Sequence, residues 1–337
     1  MPQSELPRLD IVVVNWNTGR CLHRCLDSIA TARSSAYALA RVIVVDNASA
    51  DGSADGLHDL ALPLRTLRNA HNRGFAAACN QGAHEGNAPF VLFLNPDTRL
   101  HPDALDRAVG FLAGPHTASV GICGGQMVKD DGTLQESCAR FPRLSMVVAR
   151  ACGLSRLFPR LMPRQWMSVR EVDDSRPVDQ VIGAFFLVRR PLFEELGGFD
   201  ERFFLYYEEV DLAYRARQAG FLSYHLADAR VRHVGGVSSA QVLGPRLFHS
   251  LRGRTEFARL HWQRAQVPAL VGVTLAVELP CRAVFALARA RWNELRGVAF
   301  AARRYAAYVR SSRPADPPTA PGSGSSPAAP PAGTPRR

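Results

Sequence analysis

The stretch VLFLNPDTRL, Val91 to Leu100, runs unbroken apolar residues into Asn95, a proline and a lone carboxylate, Asp97. A short apolar run closed by a turn signal reads as a strand covered on both faces, and Asn-Pro-Asp-Thr makes a good turn. Asp97 therefore either starts a turn or is a carboxylate held at a strand end for chemistry. Four runs of this kind recur along the first hundred residues: DIVVV (10–14), RVIVV (41–45), LRTL (64–67) and FVLFL (90–94). Between the first two, Leu22, Leu26 and Ile29 repeat at helical spacing. After the third, GFAAACNQG reads as a short Ala-rich helix packed tightly on the sheet. Strands alternating with helical segments predict an α/β fold on a parallel sheet, whose ligands sit outside the carboxyl ends of the strands. Asn15, Asp46 and Asp97 occupy three such ends, which turn formation alone does not account for.

A second block, residues 181–234, opens with the expected strand VIGAFFLV. It continues through GGFDERFFLYYEEVDLAYRARQAG, a turn followed by an acidic helix start, to the expected strands FLSYHL and ARVRHV. Residues 141–180, with prolines and scattered arginines, read as a mobile connection or flap. The expected division is a catalytic domain at 1–242, a basic helical segment at 243–310 and a disordered Pro/Ser/Gly/Ala tail at 311–337. No internal repeat is apparent.

The net charge of +11 is not spread evenly. Residues 1–242 carry 26 Lys+Arg against 26 Asp+Glu, whereas 243–310 carry 12 arginines against Glu256, Glu278 and Glu294. A neutral body with a basic C-terminal segment argues against a nucleic-acid cleft and fits contact with an anionic surface. The seven cysteines lack regular spacing and read as reduced, mostly buried thiols of a cytosolic protein. Cys21 and Cys25 lie four apart on an expected helix without a His or Cys pair to complete a metal site. Acidic and polar residues before the first short apolar run do not read as a signal peptide. The longest uncharged run in the C-terminal third, Ala265 to Val277, is too short to span a bilayer by itself, so no transmembrane helix is expected.

In VIVVDNASADGS, Asn47 to Ser53 read as an Asx turn with a helix N-cap at Asp51 or Ser53. Asp46 reads equally well as a turn residue or as an acceptor for a nucleotide base or ribose. HNRGFAAACNQG places Gly74 before a helix, where backbone approaches a ligand closely. The dinucleotide and phosphate-loop glycine patterns are missing. Glu208, Glu209 and Asp211 fall within one helical turn, where the helix dipole explains them unless one serves as a general base in a cleft. The aromatics Phe203, Phe204, Tyr206 and Tyr207 just before them would raise such a carboxyl by desolvation. His233, in VRHVGG, reads as structural unless it partners Asp97.

In this order, VVVNWNT, VVDNASADGS, NRGFAAACNQG, FLNPDT, GAFFLVRR, GGFDERFFLYYEEVDLAYRARQAG and RHVGG resemble the family 2 glycosyltransferases of GT-A fold over residues 9–240. The likeness is greatest to the rhamnosyltransferase-like branch of bacterial surface polysaccharide synthesis. The resemblance implies an inverting transfer from a nucleotide-diphosphate sugar, dTDP- or UDP-linked, to a glycan or lipid-linked acceptor, aided by Mg2+ or Mn2+. Asp46 matches the acid that contacts the donor's base, and Asn15, Asn72, Gly74 and Asn95 fall on the donor side. Asp97 matches the last acid of the metal-binding D-x-D motif, and His233 a histidine that completes the metal shell in some relatives. Glu209 matches the catalytic base, with Asp211 the other catalytic candidate. Two departures stand out: Asn95 replaces the first acid of D-x-D, and glutamate replaces aspartate at the base.

The chemistry agrees with these roles. Charge develops on a leaving diphosphate, which a divalent cation stabilises, and a hard cation takes oxygen ligands, with imidazole suiting Mn2+ as well. A nucleotidyltransferase is the rival enzyme, although NWNTGRC makes a poor phosphate loop, and a non-catalytic scaffold of a membrane polysaccharide complex is the rival module. The expected setting is the cytoplasmic face of the plasma membrane, reached by peripheral contact through 243–310.

Overall fold

Near-continuous Val/Ile/Leu runs form central strands because both of their faces must be covered, and the computed structural model of the chain, which describes residues 6–158, 164–235 and 242–311, has them so. Strands β1 (Arg8–Asn15), β2 (Ala38–Asp46), β3 (Leu64–Arg68) and β4 (Phe90–Leu94) pair in parallel in the order β3-β2-β1-β4. Helix α1 (Cys21–Ala30) joins β1 to β2, burying Leu22, Cys25, Leu26 and Ile29 at the spacing the sequence shows. The β2–β3 crossover contains turns and a single 3₁₀ turn at Leu57–Asp59, not the expected helix, so the Asx turn at Asp51 is present but caps no α-helix. Helix α2 (Phe75–Ala83) covers β1 and β2, and Gly82 admits it so closely that a Cβ there would lie 2.5 Å from Val12.

The sheet is mixed rather than parallel throughout. After β5 (Thr98–Leu100), helix α3 (Ala104–Leu112) leads to β6 (Val120–Val128), and β7 (Cys138–Ala139) follows. Helices α4 (Leu144–Ala151) and α5 (Leu154–Leu157) precede β8 (Arg176–Val178), β9 (Gln180–Val181) and β10 (Phe185–Arg189). Strand β10 inserts antiparallel between β4 and β6. The expected strand from Val181 is broken at Ile182–Ala184, because β9 leaves the large sheet to pair with β7. Helices α6 (Arg190–Glu195) and α7 (Glu208–Gln218) lead to β11 (Leu222–His233), which runs parallel to β6. The two expected strands FLSYHL and ARVRHV are one strand with a bulge between Leu226 and Arg230. The carboxyl ends of β1, β2, β4, β6 and β11 and the start of β10 therefore share one edge.

Residues 141–180 are not a loose flap where they are described. Val147 of α4 packs against Ala258 and Leu270 of the C-terminal helices, and Trp262 donates to the Pro142 carbonyl at 3.1 Å. Those helices are α8 (Leu243–His261), α9 (Gln266–Val273), α10 (Leu279–Ala288) and α11 (Trp292–Ser311). A π-helical turn, Thr274–Glu278, makes α9 and α10 one continuous helix, Gln266–Ala288. Its 23 residues are long and apolar enough to cross a bilayer, where the uncharged run alone is too short. Of the cysteines, all free, Cys25, Cys79, Cys123 and Cys138 are buried while Cys152 and Cys281 are exposed. The expected tail lies outside the described residues, apart from Ser311 at the end of α11.

Buried Glu278 holds the C-terminal helices to the body. Its carboxylate accepts from Arg254 of α8 at 2.6 Å, Arg150 of α4 at 2.9 Å and Arg282 at 3.1 Å. Burial opposes its ionisation, but Arg254 and Arg150 outweigh that and hold its pKa down to about 2. Arg254 is only 2% exposed, so removing its counter-charge leaves a buried cation. Glu278→Ala is expected to cost roughly 3–5 kcal/mol in urea unfolding at neutral pH. Because the folded pKa is depressed, the native contribution is complete above the ordinary carboxyl value of 4.5 and fades as pH falls toward 2. The gap between the variant and the native chain should therefore narrow in acid.

Candidate active site

A buried amide must fill its hydrogen-bonding capacity, and at the end of β1 Asn15 does so by drawing three segments together. Its Nδ2 lies within donating distance of Asp46 Oδ1 (2.9 Å), Ser49 Oγ (3.0 Å) and Ser53 Oγ (2.8 Å), and its Oδ1 accepts from the Thr18 hydroxyl. Asn15 is fully buried. Its amide positions Asp46 at the end of β2. Asn47 does the same for the next loop, donating to Asn72 Oδ1 (2.9 Å) and the Gly74 carbonyl (3.1 Å) and accepting from the Arg73 amide (3.0 Å). Asn72 Oδ1 also accepts the Gly74 amide at 2.9 Å.

Gly74, with φ +88°, is close to backbone as expected, but the neighbour is protein. A Cβ there would lie 2.6 Å from the Phe204 carbonyl, which accepts the Phe75 amide at 2.7 Å. The loop before α7 is thus laid directly on the loop before α2. Asn80 of α2 secures the same contact, bonding Phe199 with both its amide nitrogen (2.8 Å) and its carbonyl oxygen (2.9 Å).

Strand pairing brings Asp97 and His233 together. His233 is in register with Thr98, the Val234 amide donates to the Asp97 carbonyl at 3.1 Å, and His233 Nε2 lies 3.5 Å from Asp97 Oδ1. Asn95 is fixed through its backbone, its amide donating to the Ala184 carbonyl at 3.0 Å and its carbonyl accepting from Thr98 Oγ1 at 2.7 Å. One carboxylate and one imidazole facing each other could supply two ligands to a cation. Among the described residues no third His, Cys, Asp or Glu joins them. A divalent ion fits that edge only if other oxygens, from a bound diphosphate and water, complete its shell.

The acidic start of α7 packs beside the turn that precedes β10. Tyr206 (φ +69°) and Tyr207 (φ +77°) take left-handed backbone, which costs on the order of 1–3 kcal/mol each and is characteristic of functional loops. That turn buries Glu208 and half-buries Glu209, and Oε2 of each is buried without a hydrogen-bond partner among the described residues. Burial raises both carboxyl groups, and Glu209 beside Glu208 pushes the latter further, well above the usual range. Glu209 packs against Gly183, with its Cγ 3.6 Å from where a Cβ would stand, and the next residue, Ala184, is the one that holds Asn95. Asp211 is not in that position. Its Oδ2 accepts from Arg215 Nε and its Oδ1 pairs with His261 Nε2 of α8, both at 2.7 Å, so it joins α7 to the C-terminal helices.

Some contributors are missing from the sequence reading. Helix α8 backs the strained turn: Gly253 meets the Tyr206 carbonyl, 2.7 Å from a built Cβ, and His249 stacks on Phe204 with centroids 4.6 Å apart. A lone glycine inside an otherwise helical run was the available signal for that close approach. Glu208 was readable only as part of an acidic cluster.

A nucleotide-sugar transferase fold is what this sheet and edge define. The glycosyl transferase family 2 profile matches residues 10–197, and the chain belongs to that family. It is 30% identical over 241 residues to the N-acetylglucosaminyl-diphospho-decaprenol L-rhamnosyltransferase of Mycobacterium tuberculosis, covering 67% of this chain and 75% of that one. It is 28% identical over 154 residues to the rhamnosyltransferase WbbL of Escherichia coli, covering 44% and 54%. A mannosyltransferase from Pyrobaculum calidifontis, solved with GDP-Man and Mn2+, superposes with TM-score 0.52 at 19% identity, covering 90% of this chain and 88% of that one. GalNAc-T7, solved with UDP, GalNAc and Mn2+, gives TM-score 0.53 at 17% identity over 68% and 43%. The fold is GT-A with a helical C-terminal region, and the chain is a glycosyltransferase.

Glu209→Gln keeps shape while abolishing proton acceptance, and is expected to lower transfer by about 10²-fold or more with donor binding retained. Asp211→Asn should instead lower the melting temperature and affect rate less. Because burial raises Glu209 above its ordinary 4.5, the acid limb of the rate profile should lie above that value, the rate falling as pH drops and the carboxylate takes up its proton. Steady-state kinetics across pH, with thermal melting of both variants, checks all three outcomes.

Proposed function

We propose that the chain is an inverting transferase that moves a sugar, with rhamnose the first to test, from a dTDP- or UDP-linked donor to a glycan or lipid-linked acceptor. The observation that carries this reading is the half-buried carboxylate of Glu209, whose Oε2 is buried without a hydrogen-bond partner among the described residues, beside the Gly183–Ala184 turn that holds Asn95, on the edge that also carries the Asp97–His233 pair. Asp46 and the Asn47–Asn72–Gly74 loop form the donor's nucleotide side. Asp97 and His233 would hold Mg2+ or Mn2+. When bound, the cation stabilises charge on the leaving diphosphate. Glu209 accepts the proton of the acceptor hydroxyl, and its desolvated setting keeps a basic carboxylate close to the reacting oxygen.

The relatives support the sugar and acceptor classes. The mycobacterial relative is named for transfer of L-rhamnose to a diphospho-decaprenol-linked sugar, and the E. coli relative is a rhamnosyltransferase. The two solved neighbours carry nucleotide or nucleotide-sugar together with Mn2+.

The test is donor turnover by purified protein with a panel of dTDP- and UDP-sugars, with and without Mn2+. Metal-dependent release of nucleoside diphosphate from a dTDP- or UDP-sugar, lost in Asp97→Ala at unchanged melting temperature, is the expected result. His233→Ala should raise the metal concentration needed for half-maximal rate. Full turnover by Asp97→Ala returns that residue to a turn, and binding without turnover by the native chain favours the scaffold reading.

A further inference from the structure

A helix on a water-facing surface normally turns a polar face outward. The continuous helix Gln266–Ala288 does the reverse. Along its outward side run Ala269, Gly272, Ala276, Pro280, Val284 and Leu287, all exposed and spaced by three or four residues. The stripe ends in bulk: Val284 is 64% exposed, Phe285 54% and Leu287 55%, and Trp292 follows at 58% across the turn into α11. Only 28% of the most apolar window of this helix is buried against the rest of the chain. This is a contiguous apolar surface, not scattered single residues.

The exposed charges around it are predominantly positive. Arg264 precedes the helix, Arg282 lies on it, and Arg289, Arg291 and Arg296 surround the Trp292 end, all exposed. The carboxylates of this segment are engaged within the protein. Glu278 is buried among arginines, Glu256 accepts from Tyr308 at 2.6 Å, and Glu294 is paired with Arg291 at 3.0 Å. An apolar stripe bordered by cations complements one kind of surface, a bilayer rich in anionic lipid.

Length and composition alone would equally permit this helix to cross the bilayer. The contacts at its middle decide otherwise. Glu278 is tied sideways to Arg150 of α4 and Arg254 of α8, and Thr274 accepts from Arg254 at 2.9 Å. Insertion across the membrane would either break this cluster or draw buried charges into hydrocarbon, and both are costly. We propose that Gln266–Ala288 lies flat in the interface of an anionic membrane, held parallel to the surface by the Glu278 cluster, with Phe285, Leu287 and Trp292 as its inserted end. The arginines then face the head groups, and the arrangement is independent of which sugar the site transfers.

The test uses full-length protein, vesicles of phosphatidylcholine with and without phosphatidylglycerol, and two variants on residues outside the active site. Cosedimentation should require phosphatidylglycerol and fall about tenfold when salt is raised from 0.1 to 0.5 M, because screening shortens the reach of the arginines. The double variant Phe285→Asp/Leu287→Asp and the charge variant Arg289→Glu/Arg296→Glu should each lower bound protein about tenfold, with melting temperature and donor hydrolysis in solution unchanged. Exposed Cys281, beside the stripe, should react with an impermeant maleimide in solution and be protected on vesicles. Three results overturn the proposal: no binding to anionic vesicles at low salt, retention of native protein after alkaline carbonate washing as a spanning helix would show, or a lipid-free dimer that the aspartate variants dissociate. Loss of donor hydrolysis in the native chain would count against the transferase reading and leave this one standing.

Discussion

A neutral amide holds the catalytic edge together. Asn15 sits where three strand and loop ends converge, and its Nδ2 shares two hydrogens among one carboxylate and two hydroxyls. An acid at that position would set a second negative charge against Asp46 in a buried setting, where like charges disfavour each other's ionisation. An apolar residue would leave Asp46, Ser49 and Ser53 short of the donor that Asn15 supplies. Asn47 repeats the device one residue beyond β2, so that both loops are located by uncharged groups.

The parallel half of the sheet is legible in the sequence because strands buried on both faces must be apolar throughout. The other half is harder to read, for physical reasons. Strand β10 opens after a break at Ile182–Ala184 that depends on β9 choosing a different partner, and partner choice is non-local. The bulge in β11 leaves no mark in an alternation that simply resumes after it. Residues 141–180 resemble a connection because of their prolines, yet Val147 and Trp262 find each other across more than a hundred residues.

The site divides the same way. Asp46 and His233 end strands, Asp97 follows one and Glu209 opens a helix, so each is legible as a residue, and the family resemblance implies their roles. Which side chains turn inward is not legible. Glu208 and Asp211 flank Glu209 in one helical turn, and only packing separates them: Glu208 Oε2 is buried without a partner among the described residues, while Asp211 is held by Arg215 and His261. Gly74 is legible as a place of close approach, whereas its protein neighbour, the Phe204 carbonyl, is not.

The contact between α8 and the turn at Tyr206–Tyr207 has a consequence for how such enzymes can be recombined. Gly253, His249 and His261 of α8 meet Tyr206, Phe204 and Asp211 respectively, so the shape of the acidic turn is written in two segments about forty residues apart in sequence. A chimaera that exchanges acceptor specificity by swapping everything after the sheet would join a foreign helix to a native turn and lose the fit at all three points. Exchanging the turn and α8 as a pair, across an otherwise unaltered sheet, keeps the strained backbone supported. Substitutions in the two segments should therefore compensate one another more often than substitutions within either.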